Sequence, residues 1–333
     1  MPGETQPRRS IHVVAGLLIE NGRVCITRRH ADAHQGGKWE FPGGKLEPGE
    51  ARLAGLRREL HEELGIEVRQ AEPFMQLHHG YRDLDVLLDV WRVLRYDGAA
   101  HGREGQEMRW EALERLDPRE FPDADRPVLR RLQLPPLYII SDARRLGREE
   151  FLVRLERVLG AGARFVQLRE PHMPPADFCA YARRVAALCR RFGARLLVNA
   201  APELLRECDA DGVHLTSARL MALSKRPVPA EYWLGASCHN APELERAAAL
   251  GADFAVLGSV QPTASHPGAP ILGWERFAEL CQTVTLPVYA LGGMRPPDLQ
   301  RATATGAFGL AMISGVWDAE NPEAVVRALT PSR

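Results

Sequence analysis

Gly43-Gly-Lys-Leu-Glu-Pro-Gly-Glu50, followed seven residues later by Arg58-Glu-Leu-His-Glu-Glu-Leu-Gly-Ile66, is the stretch from which the rest of the chain is read. Glu59, Glu62 and Glu63 stand at i, i+3 and i+4, so a helix here projects three carboxylates from one face. Leu53, Leu56, Leu60 and Leu64 fall near helical spacing on the other side. Together they predict an amphipathic helix over 51–64, ended by Gly65. A face of carboxylates repels itself unless cations sit on it. For the short run alone, Arg57 and Arg58 suffice as partners on a solvated helix. The preceding glycines argue for more, because a glycine loop lets the backbone approach phosphates or a metal closely. Hard divalent cations bind carboxylate oxygens together with substrate phosphates.

Around this stretch, 11–20 is β-branched and apolar, Asn21-Gly22 is a hairpin turn signal, and 23–29 continues as a second strand. Residues 86–94 read as another strand, Arg109-Trp110 lies on a short one, and 125–132 forms a final helix begun around Pro127. Gly44, Glu50 and Arg58 through Ile66 together resemble the complete Nudix box. Ile26-Thr-Arg-Arg29, Ala31-Asp-Ala-His34, Glu40-Phe-Pro-Gly-Gly-Lys45, Glu104-Gly-Gln106 and Phe121-Pro122 resemble the MutT-type nucleotide pyrophosphohydrolases. The resemblance implies an α/β/α Nudix fold and Mg²⁺-dependent hydrolysis, with Mn²⁺ as an alternative ion. The implied substrate is a nucleoside triphosphate, split to monophosphate and pyrophosphate in the service of nucleotide-pool sanitation and DNA repair. Carried over residue by residue, it implies Glu59, Glu62, Glu63, the Gly43 carbonyl and Glu104 as metal ligands, and Arg58 as the residue orienting the glutamates. Arg29, Phe41, Lys45 and Asp125 would bind substrate, with Arg29 or Lys45 on the phosphates. The general base stays open between Glu59 and Glu104. Relatives that clear oxidised guanine nucleotides carry asparagine where Asp125 stands and arginine where Leu84 stands. Ionised Asp125 only accepts hydrogen bonds, so reading the N7–H and O6 of 8-oxoguanine requires its neutral form, which burial favours.

At 333 residues two domains are expected. Pro135-Pro136 neither continues a helix nor pairs in a sheet, which places a Nudix domain at 1–133, a linker at 134–136 and a second domain at 137–333. Lys plus Arg and Asp plus Glu both number 43, so no net field draws the chain to nucleic acid or membrane. Six cysteines without a Cys-x-x-Cys pair read as reduced, partly buried thiols. With no signal peptide or membrane span, a cytoplasmic protein is expected. Nothing in the composition excludes an oligomer.

From 137 onward, short apolar strands alternate with amphipathic helices at 137–141, 165–169, 196–199, 212–215, 233–237, 254–258, 288–292 and 309–313, which predicts a (β/α)8 TIM barrel. Candidate ligand residues then belong at the strand C-termini: Gln167, Arg169, Asn199, His214, His239, His266, Gly292, Gly293, Ser314 and Gly315. The phrases Val166-Gln-Leu-Arg-Glu170, Asn199, His214, Ser237-Cys-His239-Asn240, Gly258-Ser-Val-Gln-Pro-Thr-Ala-Ser-His266 and Gly292-Gly293 resemble thiamine-phosphate synthase and its TenI-type tautomerase relatives. That resemblance implies a phosphate held after strands seven and eight. Pro171 stands where the synthases have a lysine, and Ala200-Ala201 replace an aspartate and an arginine. Losing these removes a pyrophosphate clamp and a Mg²⁺ ligand, so coupling through a pyrophosphate leaving group is expected to fail. Ser259 replaces the tautomerase histidine, leaving His239 or His266 as substitutes.

The leading expectation is an 8-oxo-dGTP-type diphosphatase joined to a barrel that binds a thiamine-pathway phosphate ester. A second is hydrolysis of thiamine diphosphate or its pyrimidine precursor. A third makes the barrel a non-catalytic binding or dimerisation module.

Overall fold

The computed structural model describes residues 9–330 apart from 82–83, 104, 264–267 and 269. They fall into two compact units that part between Gln133 and Leu134.

In the first unit, β1 (Arg9–Glu20) pairs antiparallel with β2 (Arg23–Arg28) across the Asn21-Gly22 turn. The short strands β3 (Trp39–Glu40) and β4 (Gly43–Lys45) flank the glycine loop, and α1 (Arg52–Leu64) follows it. β5 (Glu67–Gly80), β6 (Leu84–Asp97), β7 (Met108–Ala112) and α2 (Arg126–Gln133) complete the unit. The sheet runs β3-β2-β1-β6-β5, with β4 added to β1 and β7 to β2. β6 lies parallel to β1 and antiparallel to β5.

Alternation along β1 feeds two cores. Val14 and Leu18 join Leu56, Leu60 and Leu64 of α1, while Ala15 and Leu17 join Phe41, Phe121, Val128 and Leu129 on the α2 side. Sheet between helices is the expected α/β/α arrangement. Gly16 lets α1 press close, since a Cβ there would lie 2.7 Å from Leu60 Cδ1. Gly65 caps α1 at φ 70°, its amide donating to the His61 carbonyl.

β5 was not expected from the sequence. It is an edge strand with mixed exposure, it contains Pro73, and its register shifts between Pro73 and Met75. An edge or bulge is where a strand tolerates proline.

In the second unit eight parallel strands close a barrel: β8 (Leu137–Ile140), β9 (Phe165–Leu168), β10 (Arg195–Val198), β11 (Gly212–Leu215), β12 (Trp233–Cys238), β13 (Phe254–Gly258), β14 (Val288–Leu291) and β15 (Gly309–Met312). Helices α3 (Ala143–Leu146) to α11 (Pro322–Leu329) intervene. Aromatic residues Tyr138, Phe165, Trp233, Phe254 and Tyr289 fill the interior, and a larger apolar cluster lies between strands and helices. Residues 134–136, expected as a linker, belong to this unit. Leu134 is buried in the interior cluster, the Tyr289 hydroxyl donates to the Pro135 carbonyl at 2.6 Å, and the Leu310 amide donates to the Pro136 carbonyl at 2.8 Å. The cysteines are unbridged, five buried and Cys281 half-buried. No helix among the described residues is long and apolar enough to cross a membrane.

Candidate functional site

α1 carries the carboxylates, and Arg58 gathers them. Its Nε and Nη2 donate to Glu50 at 3.0 and 2.9 Å, and Nη1 donates to Glu59 at 2.9 Å and Glu62 at 3.1 Å. Nη2 also reaches the Lys45 carbonyl at 3.1 Å, tying β4 to the helix. Glu63 faces the loop and accepts from the Gly43 amide at 2.9 Å. Gly44 leaves room for Glu59, because a Cβ there would lie 2.2 Å from Glu59 Oε2.

Arg58 holds the Glu50 carboxyl down to about 2 through its hydrogen bonds, helped by the Glu47 amide. Glu59 moves the other way: burial raises it, and the charges of Glu62 and Glu50 add to the rise against the opposing pull of Arg58. Among the described residues no three His, Cys, Asp or Glu side chains converge as a preformed cage, because Arg58 engages Glu59 and Glu62 while Glu63 turns to Gly43. Glu104 lies outside the described residues. Three carboxylates around one guanidinium, with Glu63 on the same helix, nevertheless leave an oxygen-rich, net negative patch, the donor set a hard divalent cation takes.

Beside this patch a cavity of about 360 Å³ is lined by Phe41, Gly43 and Lys45 and, farther along the chain, by Tyr81, Leu84 and Asp125. Lys45 is exposed. Arg29 also lines it, but its Nη1 donates to Glu40 and its Nε to the His34 carbonyl at 3.0 Å. Tyr81 meets the rings of His34 and His79 edge-on, at 4.7 and 4.5 Å between centroids. Its hydroxyl accepts from the Ala124 amide at 3.2 Å. Asp125 is only 6% exposed. Burial, reinforced by the charge of Glu40 and opposed by Arg29, pushes its carboxyl up to about 7. Burial raises Glu40 to about 7 as well, against Arg29. Glu40 was not singled out from sequence, where it reads only as part of the glycine-loop phrase.

In the second unit a cavity of about 420 Å³ opens at the strand C-termini. Gln167, Arg169, His239, Gly292, Gly293, Ser314 and Gly315 all line it, together with Ser237 and Ser259. The two serines were quoted in the strand-end phrases but not chosen, although the position that marks His239 marks them too. His239 Nδ1 lies 2.9 Å from Glu243 Oε2. Two expected ligand residues are elsewhere. His214 is fully buried and does not line the cavity, and the Asn199 side-chain amide donates to the His214 carbonyl at 3.2 Å. His266 lies outside the described residues. A neighbouring cavity of about 430 Å³ shares Arg169, Ile313 and Ser314, and Arg144 and Pro171 line it.

Comparison with known proteins agrees with this division. The family model of the NUDIX domain matches residues 14–131, and that of thiamine monophosphate synthase matches residues 137–316. The 8-oxo-dGTP diphosphatase of Escherichia coli is 39% identical over 126 residues, covering 38% of this chain and 98% of that protein. The thiamine-phosphate synthase of a Roseiflexus species is 34% identical over 195 residues, covering 58% of this chain and 83% of that protein. The solved thiamine phosphate pyrophosphorylase of Pyrococcus furiosus is 28% identical, covering 58% of this chain and 92% of its own, with a TM-score of 0.49.

Proposed function

Because the chain belongs to the Nudix hydrolases through its first unit and to the thiamine monophosphate synthase family through its second, we propose a division of labour. The first unit hydrolyses an oxidised-guanine nucleoside triphosphate, 8-oxo-dGTP or a close relative, to the monophosphate and pyrophosphate. The barrel binds a phosphate ester without synthase chemistry.

The observation that carries the first half is Asp125, buried in the wall of the cavity beside the glutamate patch with its carboxyl raised to about 7. A neutral carboxylic acid offers one donor and one acceptor, the complement of O6 and N7–H on 8-oxoguanine. Unmodified guanine has an acceptor at both positions and matches only half of it. Tyr81 and Phe41 give the base apolar walls.

Glu59, Glu62, Glu63 and the Gly43 carbonyl would hold Mg²⁺, which when bound neutralises diphosphate charge and lowers the pKa of a coordinated water. Arg58 keeps the glutamates oriented. Lys45, exposed on the cavity wall, meets the phosphates. Glu59, whose affinity for a proton burial raises, is suited to accept one from the attacking water, a role for which Glu104 remains the rival. For the barrel, Pro171, Ala200 and Ala201 leave the family's diphosphate clamp incomplete, while the Gly292-Gly293 and Ser314-Gly315 turns still line the cavity.

A panel scored for released pyrophosphate with Mg²⁺ tests the reading. 8-oxo-dGTP should be turned over well ahead of dGTP, and equal turnover of the two sinks it. One observation favours a second reading: neutral Asp125 also complements an aminopyrimidine edge, with its ring nitrogen and amine. Faster cleavage of thiamine diphosphate or its pyrimidine precursor than of any nucleotide would establish that alternative.

A further inference from the structure

Two cysteines of the barrel, away from both cavities, stand against each other. Cys179 lies on α5 (Pro175–Arg191), the helix that leads into β10, and Cys208 lies in the turn-rich segment 202–209 that follows β10. Their Sγ atoms are 2.7 Å apart, and the two residues are 3% and 0% exposed. Among the described residues no other two cysteines are in hydrogen-bonding contact.

The contact does not depend on the sulfurs alone. Arg183 Nη1 on α5 donates to the Glu207 carbonyl at 3.1 Å, and Arg190 on the same helix pairs with Asp209. The helix is therefore fastened to the segment on both sides of Cys208. Within the segment, the Cys208 amide donates to the Leu204 carbonyl at 2.9 Å. A disulfide needs its sulfurs about 2 Å apart on backbones that already lie close together. Here bonds that involve no sulfur hold both backbones, so a small approach of the side chains suffices. The two positions are 29 apart in the chain with β10 between them, and a bond would close a loop around one strand of the barrel.

We propose that Cys179 and Cys208 are a redox modification site, which a two-electron oxidant such as hydrogen peroxide converts to a disulfide stapling α5 to the segment after β10. One sulfur attacks a peroxide oxygen, the O–O bond breaks, and a sulfenic acid and a water result. The second sulfur attacks the sulfenic sulfur, the S–O bond breaks, and the hydroxyl leaves as a second water with the remaining thiol proton. Two thiols and one peroxide become one disulfide and two waters, the sulfurs losing the two electrons that the peroxide gains. Burial, with the hydrogen bond to Cys179 adding to it, raises the Cys208 thiol. Thiolate is scarce, so the reaction waits on local opening and takes minutes to hours. Once made, the bond restricts the unfolded chain and stabilises the barrel.

The test treats the full chain, reduced and then freed of reductant, with a modest excess of hydrogen peroxide for several hours. Free thiols are alkylated in denaturant and the digest is weighed by mass spectrometry. The peptides carrying Cys179 and Cys208 should appear as one cross-linked species that dithiothreitol separates. The thermal transition of the barrel should lie about 5–10 °C higher in the oxidised chain than in the reduced one. That rise should be absent in Cys179→Ser and in Cys208→Ala, and the peptide map of the native chain stands without either variant. Recovery of both residues as free thiols, or as separate sulfinic or sulfonic acids, overturns the proposal. A cross-link that leaves the thermal transition where it was, or lowers it, overturns the staple.

Discussion

On the proposed base recognition, Asp125 makes selectivity a function of pH. While its carboxyl is neutral it would donate to O6 and accept from N7–H, and once ionised it would repel O6. The preference for 8-oxo-dGTP over dGTP, measured as a ratio of kcat/KM, should therefore fall about tenfold as pH rises through about 7. In Asp125→Asn, whose amide does not titrate, the ratio should stay flat. Stability follows the same sign. The folded state holds the Asp125 proton more tightly than the unfolded chain does, so the contribution is complete below the ordinary carboxylate pKa and is lost as pH rises to about 7. Denaturant unfolding at pH 5 and pH 8 should show Asp125→Asn gaining on the parent by about 2–3 kcal/mol over that interval. At the glutamate patch, if it holds Mg²⁺ as proposed, Glu59→Gln and Glu63→Gln would each remove a charge the ion needs, and pyrophosphate release should drop at least about 100-fold with the fold intact. Glu59, Glu62, Glu63 and Arg58 were legible because one helix sets their spacing. Glu40 against Arg29, and Tyr138 against His214 some 76 positions away, were not, since no local pattern records which distant strand supplies a neighbour.

At the scale of elements, the glycine loop and α1 operate as one part. The Gly43 amide binds Glu63, the Lys45 carbonyl binds Arg58, and Gly44 makes room for Glu59. Gly44→Ala should cost at least about tenfold in turnover while moving Tm little, because what its methyl displaces is the flexible end of a side chain. Leu60→Ala, on the opposite face of the same helix and fully buried, should instead cost about 2–5 kcal/mol of stability by denaturant titration. The amphipathic pattern of α1 and the apolar runs of β8 to β15 were readable because burial on one face or both imposes them. β5 escaped because an edge strand with solvent along much of its length needs no apolar alternation, and Pro73 argues locally against any strand.

At the scale of the whole chain, the boundary between units falls before Leu134 rather than after the two prolines. A fragment beginning at Leu134 keeps Leu134 in the barrel interior and the Pro135 carbonyl under Tyr289, and one beginning at Leu137 loses both. The longer fragment should unfold with about 2–4 kcal/mol more stability. Residues 1–133 alone should retain nucleotide turnover within about twofold of the full chain, measured by pyrophosphate release. The barrel's aromatic filling has a further consequence. Tyr138, Phe165, Trp233, Phe254 and Tyr289 are each at most 2% exposed and stopper the interior from wall to wall. A stoppered barrel has a single doorway, so a molecule that enters from the strand C-termini must back out the way it came. Arrival and departure then exclude one another, and the lifetime of each occupant sets the waiting time of the next.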